Sequence, residues 1–207
     1  MKNIKRRGML FVLSGPSASG KTSIGKELLT RDTRLQISIS VTTREMRPGE
    51  EDGKDYFFVT RAEFQKLIDE GKFIEWAEVY GNLYGTLKST VEEALGAGHD
   101  LLFDIDWQGT HHLSKKMPDD VVTIFLLPPS RGELERRLRT RAQDGEEIIQ
   151  KRLANASADI AHYLEYQYLF INDDFDKSVA YVYAILQAER LKRERLTGMP
   201  DFIQTLL

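Results

Sequence analysis

Cysteine is absent from the 207 residues, which excludes disulfides, thiolate metal ligands and a cysteine nucleophile. Long apolar runs are absent too, since none approaches the roughly 20 residues that a spanning helix needs. Positive charge is not in excess. The 29 Lys and Arg stand against 32 Asp and Glu, so the surface as a whole does not favour nucleic acid. Any hold on phosphate must come from locally clustered cations. Histidine is scarce, and His99, His111, His112 and His162 fall at no metal-binding spacing, which predicts surface or packing roles for them. The basic start, Lys2 to Arg7, is followed by the apolar run Met9 to Leu13, too short for the hydrophobic region of a secretory signal. The expectation is an unexported, cytoplasmic protein without nucleic-acid or membrane partners. Oligomeric state is not legible from these features.

What is present suits one globular domain of α/β class. Hydrophobic residues make up 41%, enough for a core that needs no staples. Met9–Leu13 reads as a strand buried on both faces, and similar runs recur at Ile37–Val41, Leu101–Ile105, Val121–Leu127 and Tyr168–Ile171. Helical patterns at Lys21–Leu29, Glu133–Arg141, Glu146–Tyr163 and Lys177–Arg195 separate most of them. That alternation predicts a parallel sheet with helices on both sides. From Arg44 to Leu95 it breaks down, with Tyr56–Val59 as a short strand and Asn82–Thr86 as a turn. The segment reads as an insertion on the sheet's edge.

Gly15-Pro16-Ser17-Ala18-Ser19-Gly20-Lys21-Thr22 fits G-x-x-x-x-G-K-[ST] at every fixed position. Glycines let successive backbone N–H groups approach phosphate oxygens, and the following helix adds its positive end. Lys21 can reach the β- and γ-phosphates, and the Thr22 hydroxyl can reach Mg²⁺. A chance match in a glycine turn is the competing explanation, but here a buried strand precedes the loop and a helix follows. Arg44 and Arg47 lie close to Tyr56 and could hold a second phosphate, although two loop arginines alone are more often merely solvated. Asp104 and Asp106 end an apolar run, at the edge where open α/β sheets take ligands, or they cap the next helix.

Further residues bear on these alternatives. Thr42-Thr43-Arg44, Arg47, Glu50, Gly53, Tyr56, Phe58-Val59, Phe73–Ala77, Gly81–Thr86, Asp104–Gly109, Pro128–Ser130, Arg137, Arg141 and Asn172–Asp174 recur in order along almost the whole chain. The pattern resembles the guanylate kinase family. The resemblance implies a P-loop nucleoside monophosphate kinase fold and direct in-line transfer from ATP to GMP, with Mg²⁺ as cofactor. It implies a core at about 1–37, 96–127 and 156–207, a GMP-binding insertion at about 38–95 and a lid at about 128–155.

By the same resemblance, Gly15 to Thr22 and Asn172 bind ATP, while Lys21, Arg44, Arg137, Arg141 and Arg152 act on the transferring phosphates. Ser40, Arg44, Arg47, Tyr56, Glu75, Tyr84, Thr86, Asp104 and Asp106 bind GMP, and dGMP tolerance stays open. Glu75 is the carboxylate that accepts from guanine N1 and N2, assisted by Ser40 and Thr86. Thr22 meets Mg²⁺, and the division of Asp104 and Asp106 between contact with the acceptor nucleotide and contact with Mg²⁺-bound water stays open. Ala142 stands where the family often has glycine, which bears on lid flexibility, and Leu83 replaces a commonly aromatic residue. Another P-loop kinase would lack Glu75 in this setting. A non-catalytic scaffold module of the same type would lack the intact Gly20-Lys21-Thr22.

Overall fold

The computed structural model describes residues 4–79, 81–141 and 146–207, without the side chains of 79, 141, 147 and 148. In chain order come β1 (Leu10–Ser14), α1 (Lys21–Arg31), β2 (Leu35–Ile37), β3 (Val41–Thr42), β4 (Phe57–Phe58), α2 (Arg61–Asp69), β5 (Phe73–Val79) and β6 (Asn82–Leu87). Then follow α3 (Lys88–Gly96), β7 (Asp100–Asp104), α4 (Trp107–Lys116), β8 (Val121–Leu127), α5 (Arg131–Arg141), α6 (Glu146–Ile160), β9 (Tyr168–Ile171), α7 (Phe175–Arg190) and α8 (Met199–Gln204). No helix among the described residues is long and apolar enough to cross a membrane.

The central sheet is parallel throughout, in the order β2-β7-β1-β8-β9. Its middle strand is wholly buried, and its side chains alternate between two cores. Phe11 and Leu13 point to one face, packing with Ile24 and Leu28 of α1 and Val179, Val182 and Leu186 of α7. Leu10 and Val12 point to the other, against Val91 and Leu95 of α3 and Leu113 of α4. Each such side chain contributes roughly 1.5–3 kcal/mol by leaving water. At the strands' amino ends the polar groups pair below the core. Asp100 accepts from Arg6 at 2.7 and 2.8 Å and from Arg190 at 2.7 Å, and Arg190 also pairs with Asp32.

A second, mixed sheet runs β4-β3-β6-β5. It has its own small core of Val41, Phe64, Phe73 and Leu83. Next along β5, Ile74 packs into the main core instead, so one strand joins the two bodies. The expected strand Ile37–Val41 is two strands in different sheets, β2 ending at Ile37 and β3 starting at Val41. The expected turn Asn82–Thr86 is strand β6, paired with both β3 and β5. Gly85 serves packing there rather than turning, since a Cβ would lie 2.9 Å from the Phe73 ring. Helices α5 and α6 pack on each other through Leu134, Leu138, Ile149, Leu153 and Ala156. The long pattern from Glu146 ends as a helix at Ile160, and that toward Arg195 ends at Arg190.

Candidate active site

Strand β1 delivers the glycine loop to the carboxyl edge of the central sheet. Gly15 takes φ +138°, and a Cβ there would lie 2.3 Å from the Leu126 carbonyl oxygen. At Gly20, φ +104°, it would lie 2.2 Å from Asn172 Nδ2. Both positions therefore exclude a side chain. Helix α1 opens on Gly20 with no side-chain cap, so its first N–H groups are left facing the loop. Lys21 Nζ donates to the carbonyls of Gly15 (2.8 Å) and Pro16 (3.1 Å), arching over the space that a phosphate would take. Ser19 is fully buried, and its carbonyl accepts from Asn172 Nδ2 at 2.8 Å. Asn172 is thus a brace beneath the loop.

The Thr22 hydroxyl donates to Asp104 Oδ2 at 2.6 Å, joining α1 to the end of β7. Asp106 caps α4, accepting from the Gly109 N–H at 3.0 Å. The capping alternative is therefore realised, but Asp106 also faces open space. With Asp104 it walls two cavities. One, of about 310 Å³, is lined further by Ser40, Tyr56, Glu75 and Tyr84. The other, of about 520 Å³, is lined further by Gly15, Ser17, Lys21, Arg152, Asn155 and Asp159. Lys21 then borders a third, of about 390 Å³, with Ala18, Thr22, Lys26 and Arg137. Shared walls set the three in a row.

In the first cavity Glu75 is 7% exposed and accepts from the Thr86 hydroxyl at 2.7 Å. Burial pushes its carboxyl above the usual range, an effect that the Thr86 hydrogen bond only partly offsets. The Tyr56 hydroxyl is likewise pushed up, mainly by burial, so it remains a donor at neutral pH. Tyr56 meets Tyr84 edge-on at 6.0 Å, and the Arg44 guanidinium lies 5.3 Å from the Tyr56 ring centre. Arg44 is tied to Glu50 at 2.7 Å and to the Glu45 carbonyl at 2.7 Å. Arg47 is exposed, and its backbone N–H, rather than its side chain, meets Glu50.

From α5, Arg137 donates to Glu133 at 2.7 Å and to the Asn172 carbonyl at 3.2 Å. The Arg141 side chain and Ala142 lie outside the described residues. Asn155 and Asp159 were not among the expected site residues. Their signal was available, because with Arg152 they fall three and four apart on α6 and so share one face. His162 stacks on Trp107 at 3.7 Å and pairs with Glu165 at 2.6 Å, a packing role at the cleft's margin. Among the described residues no three acidic, histidine or cysteine side chains gather as a metal site.

A glycine loop at the carboxyl end of a parallel sheet, beside a second cavity lined by Tyr56, Glu75 and Tyr84, defines the P-loop class of nucleotide-binding folds. Residues 7–189 match the family model described as Guanylate kinase. A guanylate kinase of Rhodopseudomonas palustris is 51% identical over 206 residues, covering 100% of this chain and 94% of that one. One of Rhizobium meliloti is 52% identical over 204 residues, covering 99% and 93%. The crystal structure of guanylate kinase from Anaplasma phagocytophilum superposes with a TM-score of 0.78 at 37% identity, covering 98% of this chain and 96% of that one. The chain belongs to the guanylate kinase family, and its activity is the ATP-dependent phosphorylation of GMP to GDP.

Proposed function

We propose that the glycine loop is the ATP seat and the 310 Å³ cavity the GMP seat, with direct transfer between them across Lys21. The observation that carries this reading is Glu75, a buried carboxylate lining a cavity that also holds Tyr56 and Tyr84. Guanine offers donors at N1 and N2 that an ionised carboxylate can accept together, whereas adenine offers an acceptor at N1. Ser40 and Thr86 orient the base and its carboxylate. Arg44, Arg47, Tyr56 and Tyr84 take the acceptor phosphate.

A GMP phosphate oxygen attacks the γ-phosphorus, and the bond from that phosphorus to the β–γ bridging oxygen breaks, leaving ADP. The acceptor's second pKa is about 6, so it is mostly ionised at neutral pH and no base is needed. Catalysis is then positioning and charge neutralisation by Lys21, Arg137, Arg141 and Arg152. The Thr22 hydroxyl and the Asp104 carboxylate are hard oxygen donors at the loop's mouth, as Mg²⁺ prefers. When bound, the ion offsets charge on the β- and γ-phosphates. Residues about 38–95 form the GMP-binding insertion, about 128–155 the lid, and the rest the core. The protein works in the cytoplasm.

The test is ADP release coupled to a reporter, with GMP and AMP as rival acceptors. Release should require GMP, and Lys21→Met should lower it on the order of 10³-fold with the fold intact. Release that is indifferent to GMP, or a variant within tenfold of the parent, contradicts the assignment.

A further inference from the structure

Ala18 is the only non-glycine among the described residues with a positive φ, +64°. In that region a Cβ crowds the backbone, and glycine is the residue that fits without strain. Gly15 and Gly20 meet the same demand in the same loop with glycine. Ala18 keeps a methyl there, and the methyl has a destination. It packs, half-buried, against the apolar cluster that joins α5 and α6, made by Leu134, Leu138, Ile149, Leu153 and Ala156. A polar link runs alongside it. Arg137 donates to the Asn172 carbonyl, and the Asn172 amide donates to the carbonyl of Ser19, the residue after Ala18. Ala18 also borders the 390 Å³ cavity that Lys21, Thr22 and Arg137 share.

We propose that Ala18 is a positioning residue that seats the α5–α6 pair on the phosphate loop, coupling the loop's conformation to the placement of the lid arginines. The inference rests on the reading of the loop as the ATP seat. The methyl's direction follows from the loop's own dihedral angles. A ligand that holds the loop N–H groups in place therefore holds the methyl in place, and with it one face of the lid's core. The Arg137–Asn172–Ser19 link is a chain of directional hydrogen bonds to backbone carbonyls, whereas the methyl contact is apolar packing. Glycine at 18 would relieve the backbone and keep the phosphate cradle, but it would remove the apolar contact and leave only polar ones between loop and lid.

Ala18→Gly tests this without endangering the fold, because glycine accepts the observed dihedral. The expected result is a KM for ATP raised about three- to tenfold, with that for GMP within about twofold. Amide exchange in Glu146–Ile160 should be faster. Combined with Leu153→Ala, the effects on the KM for ATP should be less than multiplicative, because both changes weaken the same cluster. An unchanged KM for ATP, a fully multiplicative double variant, or a shift in melting temperature without the split between substrates would overturn the proposal. Lys21→Met in the same assay tests the ATP-seat reading separately. Parental activity in that variant sinks the reading whatever Ala18→Gly does.

Discussion

Glu75 is held in tension between what folding and what binding ask of it. Burial disfavours its charge, so the ionised form costs the folded protein stability at any pH above the carboxyl's unfolded value, and protonation recovers that loss. Recognition of guanine by two acceptor oxygens requires the ionised form. Glu75→Gln separates these demands, since it keeps the shape and removes the charge. One oxygen becomes an amide donor facing a donor on the base, which leaves buried groups unpaired at about 1–3 kcal/mol each, or roughly 5- to 150-fold in kcat/KM for GMP. The variant without nucleotide should melt no lower than the parent, and its preference over AMP should narrow. Steady-state kinetics with both acceptors and a thermal melt check both halves. Wild-type efficiency with GMP would remove Glu75 from the base site. At this scale the sequence was most readable where the chemistry is contiguous, as from Gly15 to Thr22. It was least readable where partners are distant. Nothing local announces that Thr22 meets Asp104, 82 residues on, or that Asn172 braces Ser19.

Secondary elements were legible wherever one burial rule held along the whole run. The inner strands β1, β7 and β8 are buried on both faces, so continuous apolar segments mark them, and the edge strand β9, with Leu169 and Ile171 exposed, also falls where the pattern puts it. Strand β6 obeys a different rule. Asn82 and Gly85 carry the look of a turn, yet Gly85 is small because the Phe73 ring occupies the space above it. Phe73 is itself stacked on Phe64 at 4.5 Å and has little room to retreat. Gly85→Ala should therefore overpack the small sheet and cost about 1–3 kcal/mol. Because β6 also carries Tyr84 and Thr86, the KM for GMP should rise several-fold more than that for ATP. Equal changes in the two constants would mean that the small sheet does not stand apart as a GMP seat. The cleft face of α6 was legible in part, because Arg152 came with the family resemblance while Asn155 and Asp159 beside it did not.

At the scale of the whole molecule, chemistry and cohesion sit at opposite edges of the central sheet. The cleft lies at the carboxyl edge, and the Arg6–Asp100–Arg190–Asp32 cluster lies at the amino edge. Burial alone would raise the Asp32 carboxyl, but hydrogen bonds from Arg190 and from the Arg34 N–H outweigh it and leave the group below its ordinary value of 3.8. A depressed carboxyl contributes stability that is complete above the unfolded value and is lost as pH falls through the folded one. Asp32→Asn should thus destabilise the protein on the order of 3 kcal/mol at pH 7 by undoing a buried pair. Its deficit should shrink as pH drops below about 4, and denaturant midpoints across that range measure this. A deficit that stays constant with pH would assign the loss to packing rather than charge.

The apolar residues are divided among the two faces of the large sheet, the small sheet and the α5–α6 pair. The two peripheral cores are far smaller than the central ones, and on the proposed reading they hold the groups that grip substrate. Heating would loosen them first, so inactivation should precede loss of the central sheet. With the two nucleotides seated as proposed, each would span a small core and the large one, and bound substrate should therefore close the gap between the temperature at which activity fails and the temperature at which the chain unfolds.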